Sequence, residues 1–259
     1  KIAVACADDL SLDCERVCAA LKALGYVALL APQRFASVDA EVTVNFVVKA
    51  LLMNNESPEL EEPPADAPEW TQEPTTECRA KVLGIKLLVR RLLGKAAADD
   101  VSGDQLQAAA APSVRILTAL LEGMGNLRDD NITPLVDRSR LRLAAGCGLL
   151  KLAQDPRLRE NIDNPLYRTL STLVQDSCVE VRATFCRKLH RGLLCFRLPL
   201  SFMAMFVLSA IDPNDECRAH SAAYLHAVIK LWRKRAALVP KGERLCWRFW
   251  WLVAGGWWL

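Results

Sequence analysis

Strand signals are scarce in this sequence. Aromatic residues make up 7% of the 259 positions, and strict apolar–polar alternation is rare. That argues against a sheet-built fold, whose strands draw on aromatic and β-branched residues at a period of two. No apolar run reaches the roughly 18 residues that a membrane span needs. A secretory leader is also missing: "KIAVACADDL" has no Met and turns acidic by Asp8, so the chain reads as a piece of something longer. Histidine is limited to His190, His220 and His226. There is no Gly-framed Ser, no phosphate-cradling Gly loop and no HExxH. The Asp and Glu pairs fall in loops and at helix starts, where capping accounts for them. We therefore expect no catalytic site and no cofactor.

Cysteine is plentiful, but its framework is absent. The ten cysteines (Cys6, Cys14, Cys18, Cys78, Cys147, Cys178, Cys186, Cys195, Cys217 and Cys246) are irregularly spaced, with no CxxC. Most lie in apolar helical patterns, where a free thiol acts as a small hydrophobe. This implies a reducing compartment, cytosol or nucleus. Cys186 with His190, and Cys217 with His220, have spacings that place each pair on one helix face. Without a close Cys pair the plain reading is two ordinary helix faces, and no metal site is expected.

What is present is helical. Apolar residues reach 52% and charged residues 24%, and Leu and Ala recur three and four apart, which gives an all-α chain. Helices are expected at 13–31 (or two short ones broken near Gly25), 37–53, 78–95, 104–122, 138–154, 164–174, 178–195, 198–211 and 215–235. Between the second and third lies "NNESPELEEPPADAPEWTQEPTTE" (54–77), with five prolines and eight acidic residues. Such a segment buries too little apolar surface to order itself and reads as a disordered loop. The expected organisation is first helical repeats in 1–53, the acidic loop in 54–77, a repeat array in 78–235, and a Trp-rich tail in 236–259.

The array repeats internally. Aligning Arg182 of "VEVRATFCRKLHRGL" with Arg218 of "ECRAHSAAYLHAVIK" places Ala183 on Ala219 and Leu189 on Leu225, an offset of 36. Aligning Arg142 with Arg182 gives an offset of 40. "DRSRLRLAAG", "DSCVEVRATF" and "DPNDECRAHS" share a polar cap, about one turn, an Arg, and then an apolar helix. The period suits HEAT or armadillo-type helical hairpins of roughly 40–47 residues, whose apolar faces are buried only by stacking. The fold expected is an α-solenoid of HEAT-type repeats. The repeated Arg is placed to hydrogen-bond back to the preceding turn or hairpin.

Charge is segregated along the chain. Residues 1–77 hold 5 Lys/Arg against 14 Asp/Glu, whereas residues 78–235 hold 25 against 15. Two basic runs stand out: Arg187, Lys188, Arg191 and Arg197 around "RKLHRGLLCFR", and Lys230, Arg233, Lys234 and Arg235 in "KLWRKR". Each alone reads as a solvated helix edge. Together, within a positive half, they form a candidate surface for an acidic partner, protein or non-specifically bound DNA. No recognition-helix or RNA-binding aromatic motif accompanies them. A third basic stretch, "AKVLGIKLLVRRLLG" (80–94), places Leu83 and Leu87 on the far side of its main apolar arc. That pattern marks an inner repeat helix rather than a membrane-surface amphipath, and it requires those two leucines not to be fully exposed.

"AKVLGIKLLVRRLLG", "SRLRLAAGCGLLKLAQDP", "VRATFCRKLHRGLLCFRLPLSFMAMFVLSAIDPNDECRAH" and "FVVKALLMNNE" together resemble the precocious dissociation of sisters (Pds) family, over about residues 20–235. The resemblance implies a piece of a large nuclear, chromatin-associated α-solenoid without enzymatic activity. It implies binding to the cohesin ring through its kleisin subunit, work with the releasing factor Wapl, and contacts with sororin and the acetyltransferase system. It also places this piece in the later part of the repeat array. No family partner-binding motif maps onto a residue here, so no site is transferred. Arg91 departs from the family pattern, where an aromatic is expected. The final run "LCWRFWWLVAGGWWL", with five of the seven Trp, resembles nothing in the family and reads as an unrelated terminus rather than a membrane anchor. The competing reading is another HEAT adaptor, such as a nuclear transport receptor or phosphatase scaffold.

Overall fold

The computed structural model describes residues 2–8, 10–11, 16–53, 68–98, 100–127 and 133–238. Within them run α1 (Ile2–Asp8), α2 (Val17–Leu30), α3 (Pro32–Phe35), a π-helix (Glu41–Leu52), α4 (Thr76–Ala97), α5 (Gly103–Glu122) and α6 (Leu135–Leu152). There follow α7 (Pro156–Arg159), α8 (Asn164–Ser171) continuing as a 3-10 turn (Thr172–Gln175), α9 (Val179–Leu194), a 3-10 helix (Leu200–Ile211) and α10 (Asp215–Leu238). Among the described residues there is no strand. The fold is all-α, of the α-solenoid class built from helical-hairpin repeats.

At several helix starts a side-chain oxygen takes up an orphan N–H group. Thr75 accepts from the Cys78 N–H at the head of α4 (3.0 Å). Ser102 and Gln105 form a reciprocal capping box on α5. Asp155 and Asp163 cap α7 and α8, and Asn214 accepts from the Cys217 N–H in α10 (2.9 Å).

The chain divides into two compact units, Lys1–Phe185 and Cys186–Leu259, with the boundary inside α9. In the first unit α4 is the central element, packed by α2, the π-helix, α5 and α6. Ile85, Leu87, Leu88, Val89 and Leu92 are buried, and Leu83 is half-buried. The stretch at 80–94 is therefore an inner helix, wrapped on more than one side. Lys86 is exposed, and Arg90, half-buried, lies over the Tyr26 ring (4.1 Å); Lys81 is buried and pairs with Glu77 (2.7 Å). α2 and the π-helix come from before the acidic segment and α4 from after it, so both sides of that segment share one core.

Arg91, where the family pattern expects an aromatic, forms an ion pair with Asp39, and Lys95 joins the same carboxylate at 3.0 Å. Burial pushes the Asp39 pKa up. Hydrogen bonds and charge from Arg91, then Lys95, outweigh that and hold it below the ordinary 3.8. A carboxylate whose folded pKa is depressed stabilises the fold fully above its unfolded value. The contribution is lost as pH falls through the folded value. Urea midpoints measured from about pH 6 to about pH 2 should therefore drop more steeply below about pH 4 in the wild type than in Asp39→Asn. Equal slopes would remove this role for Asp39.

The repeated Asp–Arg signature has a common local geometry. Arg182 Nη1 donates to the Asp176 and Ser177 carbonyls (2.7 and 2.9 Å), and Arg218 Nη1 donates to the Asp212 carbonyl. In both places the Asp Oδ1 accepts an N–H two residues ahead, from Cys178 (3.0 Å) and from Asn214 (2.8 Å). Each Arg thus fastens its helix to the turn before it, as the repeat spacing implied. Arg142 reaches further. It donates to the Met124 carbonyl in the turn after α5 (2.8 Å) and binds Asp176 through two bonds, Nε to Oδ2 (2.8 Å) and Nη2 to Oδ1 (2.9 Å).

Of the two readings of 13–31, the single helix holds: residues 17–30 are continuous. Gly25 sits inside it, with the Arg90 side chain packed where a Cβ would stand. The segment expected as an α-helix at 37–53 is a π-helix at Glu41–Leu52, and the one at 198–211 is a 3-10 helix. The acidic loop 54–77 lies outside the described residues up to 67, but its last part is tied down. Arg140 covers the Trp70 ring (4.0 Å) and donates to the Thr71 carbonyl, and the Thr75 hydroxyl donates to Asp137 Oδ2 (3.3 Å). Most of the tail, 239–259, lies outside the described residues.

Candidate basic surface

The second unit carries all eight cations singled out from the sequence. α9 buries Val181, Arg182, Phe185, Cys186, Leu189 and Leu193, positions three and four apart. The opposite face is left to Arg187, Lys188 and Arg191, which are exposed. The helix then ends sharply. The Arg197 and Leu198 N–H groups return to the Gly192 carbonyl (3.0 and 3.2 Å), and Phe196 takes the left-handed conformation with φ 54°. A Cβ on Gly192 would stand 2.5 Å from the Leu198 side chain, so a larger residue there would push Leu198 aside.

α10 buries Cys217, Ser221 and Val228, leaving Lys230, Arg233, Lys234 and Arg235 in solvent near its C-terminus. Cations there are favourable to the helix dipole, with Asp215 and Glu216 in the complementary first turn. Dipole complementarity explains their sign but not their clustering with aromatics.

Phe196 joins the two runs. Its ring meets Trp232 edge-on at 5.0 Å and carries the Arg235 guanidinium over its face at 4.1 Å. The end of α9 and the last turns of α10 are thereby fixed together, with Arg197 beside Phe196 and Arg235 held on its ring. Arg187, Lys188 and Arg191 lie on the preceding turns of α9, and Lys230, Arg233 and Lys234 flank Trp232 in sequence. Phe196 and Trp232 were missed in the sequence reading. The signal was an aromatic inside each basic run, CFR and LWR. A phenylalanine in the left-handed region costs on the order of 1 kcal/mol, and here its ring anchors Trp232 and Arg235.

His190 adds no charge to this surface at neutral pH. Its ring stacks on Tyr224 at 4.2 Å, and burial pushes its pKa down. His220 lies over the same tyrosine at 6.2 Å, and its Nδ1 is 4.0 Å from Glu216. Among the described residues no group of three or more His, Cys, Asp or Glu is arranged to hold a metal. No described helix is long and apolar enough to cross a membrane.

The chain matches the family described as "PDS5: Sister chromatid cohesion protein PDS5 protein" over residues 1–254. That span includes much of the Trp-rich run at 245–259 that the sequence reading set outside the family. The chain is 39% identical over 220 residues to sister chromatid cohesion protein PDS5 homolog A of Gallus gallus and of Homo sapiens, which covers 85% of this chain and 16% of each relative. It is 38% identical over 207 residues to PDS5 homolog B of Mus musculus, covering 80% of this chain and 14% of the relative. The chain thus spans about a sixth of the length of the curated relatives it matches.

Proposed function

Because this chain belongs to the PDS5 family of sister chromatid cohesion proteins, we propose that it is a non-enzymatic scaffold in sister chromatid cohesion, regulating cohesin on chromatin in the nucleus. The observation that carries the reading is the family match over residues 1–254. The partners proposed are the cohesin ring, through its kleisin subunit, and the releasing factor Wapl. The mechanism is presentation. Stacked helices hold a surface in fixed geometry, and binding energy comes from that surface without chemistry.

The part of this chain assigned to partner contact is the surface of Arg187, Lys188, Arg191, Arg197, Lys230, Arg233, Lys234 and Arg235. Its aromatic base supports this, because a guanidinium held on a ring loses less freedom on binding than a free one. An acidic segment of a protein partner fits it. Capture from nuclear extract with the full chain should enrich ring subunits and Wapl. Enrichment of nuclear-pore proteins or a phosphatase catalytic subunit instead would favour the other HEAT adaptors. Arg197→Glu with Arg233→Glu should reduce that capture by about tenfold, mainly through slower association. Undiminished capture would take the surface out of the reading. Duplex DNA binding that falls steeply with salt would reassign it to non-specific DNA contact.

A further inference from the structure

Residues 68–75 form a strap on the first unit, and the chemistry of the strap goes beyond scaffolding. An acidic, proline-rich segment has little reason to stay on a helical surface, yet this part is held at several points. The Arg140 guanidinium lies over the Trp70 ring at 4.0 Å, and Arg140 Nη2 donates to the carbonyl of Thr71. The Thr75 hydroxyl donates to Asp137 Oδ2 while its oxygen caps α4. Two features of this anchorage are incomplete. Arg140 Nε is buried and has no acceptor among the described residues. The Thr71 hydroxyl, half-exposed, donates only along its own strap, to the Glu73 carbonyl (3.1 Å).

We infer that Thr71 is a phosphorylation site and that Arg140 receives its phosphate, so that modification tightens the strap on α6. Arg140 already bonds the main chain of Thr71, so a phosphate on the same residue adds acceptors beside a guanidinium whose Nε still lacks one. A phosphothreonine brings close to two negative charges and three acceptor oxygens, which suit a fork of N–H donors. In the transfer, Thr71 Oγ attacks the γ-phosphorus of ATP. The new O–P bond forms as the bond to the β-phosphate oxygen breaks, ADP leaves with that electron pair, and the hydroxyl proton passes to the base of the kinase. Glu69, Glu73 and Glu77 flank the acceptor, so the enzyme fitted to it is a protein kinase with a basic peptide groove. Thr75 is a poor alternative: its hydroxyl is spent on the α4 cap and Asp137, and a phosphate there would sit against a buried carboxylate.

The test uses the full 259-residue chain, an acid-directed Ser/Thr kinase and ATP, with the phosphate mapped by mass spectrometry. Incorporation is expected at Thr71 and is lost in Thr71→Val. Amide exchange over 68–75 should then slow by roughly fivefold or more on phosphorylation, the scale of one charge-assisted hydrogen bond. Arg140→Gln should abolish the slowing, and Arg140→Lys should keep part of it. If Arg140→Gln proves unstable, the comparison of phosphorylated with unphosphorylated wild type decides alone. Phosphate on Thr75 or Thr76 instead, no incorporation, or unchanged or faster exchange after modification would each overturn the inference.

Discussion

Asp176→Ala is expected to destabilise the first unit by about 3–5 kcal/mol, a large fraction of what a domain has to lose. Asp176 and Arg142 form a two-bond ion pair at 2.8 and 2.9 Å, with side chains 3% and 6% exposed. The two residues are 34 positions apart, so the pair ties one repeat unit to the next. Alanine would remove the carboxylate and leave a buried guanidinium holding only the Met124 carbonyl and the Ser139 hydroxyl. It would also uncap the Cys178 N–H, which Asp176 Oδ1 accepts at 3.0 Å. The cost comes mainly from the stranded charge, not from the attraction lost, and that separates two outcomes. Replacing both partners, Arg142→Met with Asp176→Leu, should recover part of the loss, because well-packed apolar pairs often equal buried ion pairs. Urea denaturation followed by circular dichroism measures both. A loss below about 1 kcal/mol for Asp176→Ala, or a double variant worse than the sum of the singles, would show that the pair carries no such load.

That pair also shows where sequence reading stopped. The Asp–Arg spacing was visible, and it foretold the local bond from each Arg to its preceding turn. It gave no hint that Asp176 serves two arginines, Arg182 through its carbonyl and Arg142 through its carboxylate. Helix class was lost for a different reason. Apolar residues three and four apart satisfy a π-helix at Glu41–Leu52 and a 3-10 helix at Leu200–Ile211 about as well as an α-helix, since only the backbone bond distinguishes them. In the 3-10 helix the buried residues, Phe202, Met205, Phe206 and Ser209, still step by three and four. The inner position of α4 was legible because Leu83 and Leu87 broke the clean polar face an amphipath would need. Trp70 was hidden by composition: eight acidic residues and five prolines in 54–77 outweighed one aromatic, although that aromatic had a half-buried arginine to meet. The basic surface shows the same division. Its cations could be read as charges, but the ring that joins them depends on a left-handed turn at Phe196 that no residue preference announces.

Gly94→Ala should destabilise the fold by about 3 kcal/mol, against the usual sign of this substitution. In the interior of an ordinary helix, alanine is more favourable than glycine by about 1 kcal/mol. Gly94 lies near the end of α4, buried against α2. A Cβ there would stand 2.1 Å from the Ala28 carbonyl oxygen and 3.1 Å from the Leu29 Cα. Both are backbone atoms of α2, so no side chain can rotate aside, and the two helices must part there. The separation spreads, because Leu21 and Leu24 on α2 and Leu88 and Leu92 on α4 are all almost fully buried. Gly103→Ala is the matched control: it begins α5, and a Cβ there meets nothing within 4 Å. It should leave stability within about 0.5 kcal/mol of wild type. Gly25→Ala should fall between the two, because the atoms its Cβ approaches most closely, at 3.0 and 3.3 Å, belong to the flexible Arg90 side chain. Urea midpoints in the order Gly103→Ala, Gly25→Ala, Gly94→Ala, from most to least stable, would show that backbone approach sets the cost. A Gly94→Ala variant as stable as the control would mean that α2 and α4 do not meet as closely as 2.1 Å implies.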